Sequence, residues 1–331
     1  MGLILSNALY QVGAWLASAA SAPSGPPASG PASAPASAPA TAPAAAGAGL
    51  SPLLVCLASL GVFILAAYGI HRWARPGKLR LANAPRRHNN LTGLHLCIVF
   101  AVMILLPAGV SGVLGRWMPP RSTSLEVPIS SGPPVWRDMG TQRDPRELIL
   151  SGLIFQALFL PVCIGAAWMA FPMGLGRGLG LSARHWFLDG LRAVVAYLAV
   201  FPVCLFLWWV GTQFRGYQEH SMLMALRGAG AEWKVLVVLS AVILTPVVEE
   251  ILFRGLLQSL LRNYFRGAWP AVLLASVFFA AMHGSTHWFP ALFVLGVVLG
   301  YNYERTGRLL APILIHALFN GVTIVNALVY G

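Results

Sequence analysis

Charge is what this sequence lacks. Of 331 residues, 10% are Asp, Glu, Lys or Arg, and only ten are acidic. A soluble domain carries about 25% charged residues. With 57% hydrophobic residues, this chain cannot clothe a water-facing surface, which excludes an ordinary soluble domain. Cysteine is scarce as well. Cys56, Cys97, Cys163 and Cys204 each lie in an apolar run, and none has C-x-x-C spacing. A disulfide framework and a zinc–thiolate site are thereby excluded, and the four read as small packing residues. No β-strand alternation or solenoid repeat appears. The stretch "GLGRGLGLS" lacks the Lys-Ser/Thr that follows a phosphate loop, so it reads as a membrane-boundary loop.

What is present is a series of apolar runs. About 20 apolar residues cross a bilayer as a helix, and eight runs approach that length: 51–70, 93–113, 148–171, 188–211, 235–258, 269–283, 288–303 and 309–329. The expected fold is therefore an all-α polytopic membrane protein of about eight transmembrane helices. The sixth and seventh runs are short and joined by "HGSTHW", which suggests tilted, broken or re-entrant segments. Ahead of them, residues 1–20 form an apolar, signal-like or membrane-associated segment. Residues 21–49 form a Pro/Ala-rich linker that cannot bury a core. Residues 50–180 then read as N-terminal spans with a long loop, and 181–331 as a second helical unit.

The net charge of +12 would suggest nucleic acid in a soluble chain. Here the basic residues lie between apolar runs, the pattern of cytoplasmic membrane loops, so lipid is the expected surrounding and no nucleic-acid partner is expected. The segment from His71 to Asn90 holds Arg72, Arg75, Lys78, Arg80, Arg86 and Arg87 with no acid, a strong inside signal. Alternation from there places the mixed-charge loop Gly115 to Glu147, and both termini, outside.

Ionisable residues inside a bilayer are functional candidates by default, because a carboxylate at the centre costs on the order of 2.5–3.5 kcal/mol on insertion scales. They concentrate in the last hundred residues. In "TPVVEEILFRGLLQ", Glu250 and Arg254 are four apart and can pair on one helix face, leaving Glu249 about 100° round. In "SVFFAAMHGSTHW", His283 ends an apolar run one turn after Phe279, and His287 reads as a boundary residue. In "PILIHALFNGV", His316 and Asn320 share a face. Each set alone could be a structural pair. Together they suggest groups that meet, since unpaired polar groups in lipid are costly. A Glu with a His can activate water, and a second His with an Asn can donate to an oxyanion.

The ordered set E-E-x-x-x-R, F-x-x-x-H and H-x-x-x-N resembles the CPBP intramembrane proteases, which include the Ras-converting CAAX prenyl endopeptidase and bacterial relatives. The resemblance covers roughly residues 190–329. It implies that Glu249 and His283 activate water and that His316 and Asn320 stabilise the oxyanion. It also implies that Glu250 and Arg254 hold the first glutamate in place, with Phe279 part of the pattern. The implied substrate is a membrane-embedded or membrane-anchored protein or peptide, and the implied setting is a bacterial inner membrane. Water activation without a cofactor is the favoured reading. The alternative is a zinc site built from Glu249, Glu250, His283 and His316. A non-catalytic binding or bacteriocin-immunity protein using the same cluster stays open. The geometry makes one demand. If the fifth helix ended soon after Arg254, Glu249 and His283 would differ in height by over ~10 Å, so that helix is expected to continue to about Arg262.

Overall fold

The computed structural model describes residues 51–74, 81, 87–118, 121–127, 135–142, 145–182, 185–215, 230–284 and 287–330. The apolar N-terminal segment 1–20 and the linker 21–49 lie outside the described residues. Every one of the eight apolar runs is a helix: α1 (Pro52–Ala74), α2 (Gly93–Trp117), α3 (Pro145–Ala170), α5 (Trp186–Arg215), α6 (Ala231–Tyr264), α7 (Ala268–Ala281), α8 (Phe289–Thr306) and α9 (Leu310–Tyr330). A short helix, α4 (Gly174–Gly178), follows α3. The fold is all-α and polytopic. Among the described residues, six helices are long and apolar enough to cross a membrane, namely α1, α2, α3, α5, α6 and α9. At 14 residues, α7 is about 21 Å long, short of a ~30 Å hydrocarbon core. α8 carries Glu304 and Arg305 in its last turn.

One element was not anticipated from the sequence. Within the long loop, β1 (Arg121–Val127) pairs antiparallel with β2 (Val135–Gln142), from Arg121 opposite Gln142 to Val127 opposite Val135, with an irregularity between Ser122 and Ser124. The hairpin shows no clear two-residue hydrophobic period. It satisfies its own backbone in a loop whose ends are held by α2 and α3.

The exterior is apolar. Phe63, Leu105, Trp168, Val194 and Phe206 all point outward, as lipid-facing side chains must. Cys56 and Cys97 do so too, whereas Cys163 and Cys204 are buried. The packing role expected for all four thus applies to the inner pair. The central helix is α6, with 44% of its most apolar window buried against 6% for α1. One core runs from Val99 and Met103 of α2 through Phe155 and Phe159 of α3 to Leu252, Phe253, Phe279, Leu295 and Ile315. A satellite cluster joins Ile149, Val237, Ala241 and Ile324, where α3, α6 and α9 converge.

The peripheral α1 is seated by backbone chemistry. Pro202 interrupts α5 and cannot donate to the carbonyl of Leu198, four residues earlier. Gly61 of α1 packs directly on that place: a Cβ there would overlap the Leu198 oxygen and lie 2.6 Å from Pro202 Cδ. Since backbone cannot yield, Gly61→Val should destabilise the protein by about 1–3 kcal/mol. Thermal unfolding in detergent should show a drop of several degrees, with Gly69→Val, where no atom lies nearby, unchanged.

Candidate active site

Glu249 and Glu250 lie in a stretch where the chain departs from α-helical winding. Ser240–Leu244 and Ile251–Gln258 are π-helical, and the short α segment Thr245–Glu250 stands between them. Wide turns of this kind often mark functional sites. Both carboxylates are buried, at 1% and 0% exposure. Glu250 accepts from Arg254 Nη1 at 2.9 Å, and the guanidinium is itself buried. Glu250 thus has the cation, and Glu249 faces the Nε2 edges of His283 and His316.

Three rungs tie α6 to α8. Arg254 Nη2 donates to the Gly296 carbonyl at 3.1 Å, and Gln258 Nε2 donates to Gly300 O at 3.1 Å and Glu304 Oε1 at 3.0 Å. Arg262 Nε lies 3.3 Å from Glu304 Oε2. Each rung advances four residues on both helices at a constant offset of 42, so the two helices run parallel and in register. Gly300 makes this approach possible, because a Cβ there would stand 2.7 Å from Gln258 Oε1, whereas a Cβ at Gly296 would meet Ser276 of α7. Gln258 and Glu304 were not among the sequence candidates, and Arg262 was expected only to end the helix, although the four-residue stripe Glu250, Arg254, Gln258, Arg262 is readable in the sequence.

His283 reaches the same height as Glu249 because α6 continues to Tyr264, past the expected Arg262. Glu249 precedes Tyr264 by 15 residues and His283 follows Ala268 by 15, and the 3.8 Å between their side chains shows the two level. Glu249 Oε2 lies 3.8 Å from His283 Nε2 and 3.9 Å from His316 Nε2. The other nitrogen of each ring is held. His283 Nδ1 bonds the Phe279 carbonyl at 2.7 Å, and His316 Nδ1 bonds Glu250 Oε1 at 3.0 Å. A carbonyl and a carboxylate only accept, so Nδ1 of each ring is the donor, and each ring turns its Nε2 edge toward Glu249.

Phe279 is the hub between these groups. Its ring lies 4.6 Å from the Arg254 guanidinium carbon, 4.8 Å from the His283 ring and 5.5 Å from the His316 ring, the last edge-on at 82°. Phe253 closes the other side edge-on at 5.4 Å. The aromatic face supports the cation and holds both imidazoles.

Asn320 has a backbone partner, and one other sequence expectation meets a different arrangement. Asn320 Nδ2 donates to the backbone carbonyl of Ala241 at 2.9 Å. His287, expected at the boundary, is 3% exposed, its backbone packed on Gly211 of α5. Its ring packs on Trp288, which packs on Trp208. As for zinc, its donors must converge to about 2.0–2.2 Å from one point. Glu250 Oε1 already serves Arg254 and His316, and among the described residues no three His, Cys, Asp or Glu side chains stand at metal-holding spacing. The residues as arranged do not fit that ion.

Fold and site define a multi-pass, all-α membrane protein with a glutamate–histidine cluster in its interior. Residues 231–322, which contain every residue of that cluster, match the family described as Type II CAAX prenyl endopeptidase Rce1-like. The chain is also similar to the membrane-embedded CAAX protease MroQ of Staphylococcus aureus (strain USA300), 28% identical over 145 residues, which is 42% of this chain and 56% of the relative. It is 34% identical over 86 residues to an uncharacterized 24.3 kDa protein of Escherichia coli, 25% of this chain and 40% of that one. The chain thus spans about half the length of the curated relatives it matches. No solved structure matches it. The likeness to that family thus lies in residues 231–322 of the 331.

Arg254 offers a direct test of the buried pair. Removing one partner leaves an uncompensated charge, at a cost of about 3–5 kcal/mol. Arg254→Ala should therefore lower the detergent melting temperature strongly, and Arg254→Lys should recover only part, since one ammonium cannot span Glu250 and Gly296 O together.

Proposed function

We propose that the protein is an intramembrane endopeptidase that hydrolyses a peptide bond of a membrane-embedded or membrane-anchored substrate with water activated by Glu249 and His283. The observation that carries this reading is one buried carboxylate oxygen within 3.9 Å of two imidazole Nε2 atoms whose opposite nitrogens are both engaged. The family match supports it. A water bound between Glu249 and His283 gives one proton to the carboxylate as its oxygen attacks the scissile carbonyl. His316, with Glu250 on Nδ1 to stabilise positive charge, donates from a protonated Nε2 to the developing oxyanion. The proton taken by Glu249 passes to the leaving amine, so water is divided between the new acid and the new amine.

The membrane context fits such a substrate, because the cluster lies within helices whose outer faces are lipid-like. Leader peptides, C-terminal anchoring tails and signal-like segments are the substrate classes proposed, in a bacterial inner membrane. Both termini are proposed to lie outside. An alkaline phosphatase fused after Gly331 should then be active in an inner-membrane host, and an inactive fusion would reverse that topology.

The enzymatic test uses purified protein in detergent with a panel of internally quenched peptides, farnesylated CAAX tails and unprenylated leaders included. Glu249→Gln should reduce kcat by about 10²–10⁴-fold with little change in KM. Cleavage by Glu249→Gln at the wild-type rate would leave a non-catalytic binding or immunity role. The same assay with EDTA addresses the zinc-dependent reading: retained activity is expected, and loss restored by zinc would replace the metal-free mechanism.

A further inference from the structure

The height of His283 beside Glu249 is set through a helix that carries neither residue. α7 meets α6 by ring packing, with Phe253 edge-on to Phe279 at 5.4 Å and the Phe279 face toward Arg254. Contacts of this kind have little direction along a helix axis and tolerate sliding. α8 is different. On one side it is fitted closely to α7: a Cβ on Gly296 would lie 3.0 Å from Ser276 Cβ, and one on Gly300 would lie 3.0 Å from Val272 Cγ1. Trp269 stacks on Tyr301 at 5.9 Å. These pairs advance in opposite directions along the two helices, so α7 and α8 form one antiparallel unit. On its other side α8 is bonded to α6, at Gly296, Gly300 and Glu304. The place of His283 along α6 is therefore decided where α8 meets α6.

The bonds of that contact differ in what they specify. Arg254 and Gln258 donate to the carbonyls of Gly296 and Gly300. A carbonyl recurs at every turn, so as hydrogen bonds these two could be met again one turn on. The Glu304 carboxylate occurs once. It accepts from Gln258 Nε2 at 3.0 Å with one oxygen and lies 3.3 Å from Arg262 Nε with the other. Gln258 is 0% and Glu304 4% exposed, so water does not stand in for either partner. Packed helices shift past one another in whole turns of about 5.4 Å. A slip of one turn would break the Gln258–Glu304 bond, part Arg262 from Glu304 and carry His283 away from Glu249.

We infer that Gln258 and Glu304 are positioning residues that fix the register of the α7–α8 unit on α6 and thereby hold His283 level with Glu249. The inference rests on the endopeptidase reading for its effect on catalysis, but not for its effect on geometry.

Two readouts test it together. Gln258→Met keeps the length of the side chain and neither bond. On a reporter peptide that the wild type cleaves, it should lower kcat by about tenfold, as the loss of a hydrogen bond to a charged group shifts the register. KM should change little, since molecules still in register are unaltered. Geometry is read by spin labels on Leu239→Cys of α6 and Val277→Cys of α7, both exposed, in a chain with Cys56→Ser and Cys97→Ser. Leu239 precedes Glu249 by 10 residues and Val277 precedes His283 by 6, which separates the labels by about 24 Å along the axis. Gln258→Met should add a second distance about 5 Å from the first, in proportion to the lost kcat. Gln258→Glu sets two carboxylates face to face. The double variant Gln258→Glu/Glu304→Gln exchanges donor and acceptor across the same bond, and should regain kcat and the single distance relative to Gln258→Glu. Wild-type kcat in Gln258→Met, lost kcat with an unchanged distance, or a double variant no better than Gln258→Glu overturns the inference. Where Gln258→Met does not fold, Glu304→Gln decides by the same readouts, and wild-type values in both overturn it. Absence of any Glu249-dependent cleavage by the wild type sinks the endopeptidase reading alone, and the label distances still decide the register.

Discussion

A carboxylate and a guanidinium sealed away from water must neutralise each other, and much of the site is arranged around that necessity. Glu250 and Arg254 are both buried within one helix and bonded at 2.9 Å. Such a pair is tolerated only when the remaining donors and acceptors are also met. Arg254 reaches across to Gly296, and Glu250 accepts from His316. In satisfying this one pair the protein joins α6 to α8 and α6 to α9, and turns the His316 ring toward Glu249.

The same requirement recurs along α6. Gln258 and Arg262 repeat the contact one and two turns on, so α8 is locked in register and not merely apposed. Toward the other end, Pro246 has no N–H to offer the Ala241 carbonyl, which accepts from Asn320 of α9, while Gln156 of α3 bonds the hydroxyls of Thr245 and Ser240. With little hydrophobic driving force between helices in lipid, side-chain-to-backbone bonds and close glycine contacts do much of the work of association. His283, His316 and Asn320 are thus each held by a bond whose other end lies on α6 or α7.

Phe279 shows how an apolar residue takes part in this polar interior. It fills the space between Arg254, His283 and His316, excluding other neighbours while offering its face to the cation. Its place in the F-x-x-x-H pattern follows from the helix. The residue four before His283 supplies both the ring packed on that imidazole and the carbonyl that holds Nδ1.

The amino-acid sequence by itself determined the class of fold and the inventory of the site. Apolar runs of spanning length can only be helices in lipid, and four-residue spacing places Glu250 by Arg254 and Phe279 by His283 whatever surrounds them. Local periodicity also limited the reading. It does not reveal where a helix widens, so the π turns were decided by packing, whereas the continuation of α6 to about Arg262 followed from the need for Glu249 and His283 to meet. The β1–β2 hairpin was equally hidden, because it arises from backbone pairing with no hydrophobic face to betray it. Asn320 marks the boundary most clearly. Its presence four residues after His316 is written in the sequence, but only the tertiary structure places it against the carbonyl that Pro246, on another helix, leaves without a donor.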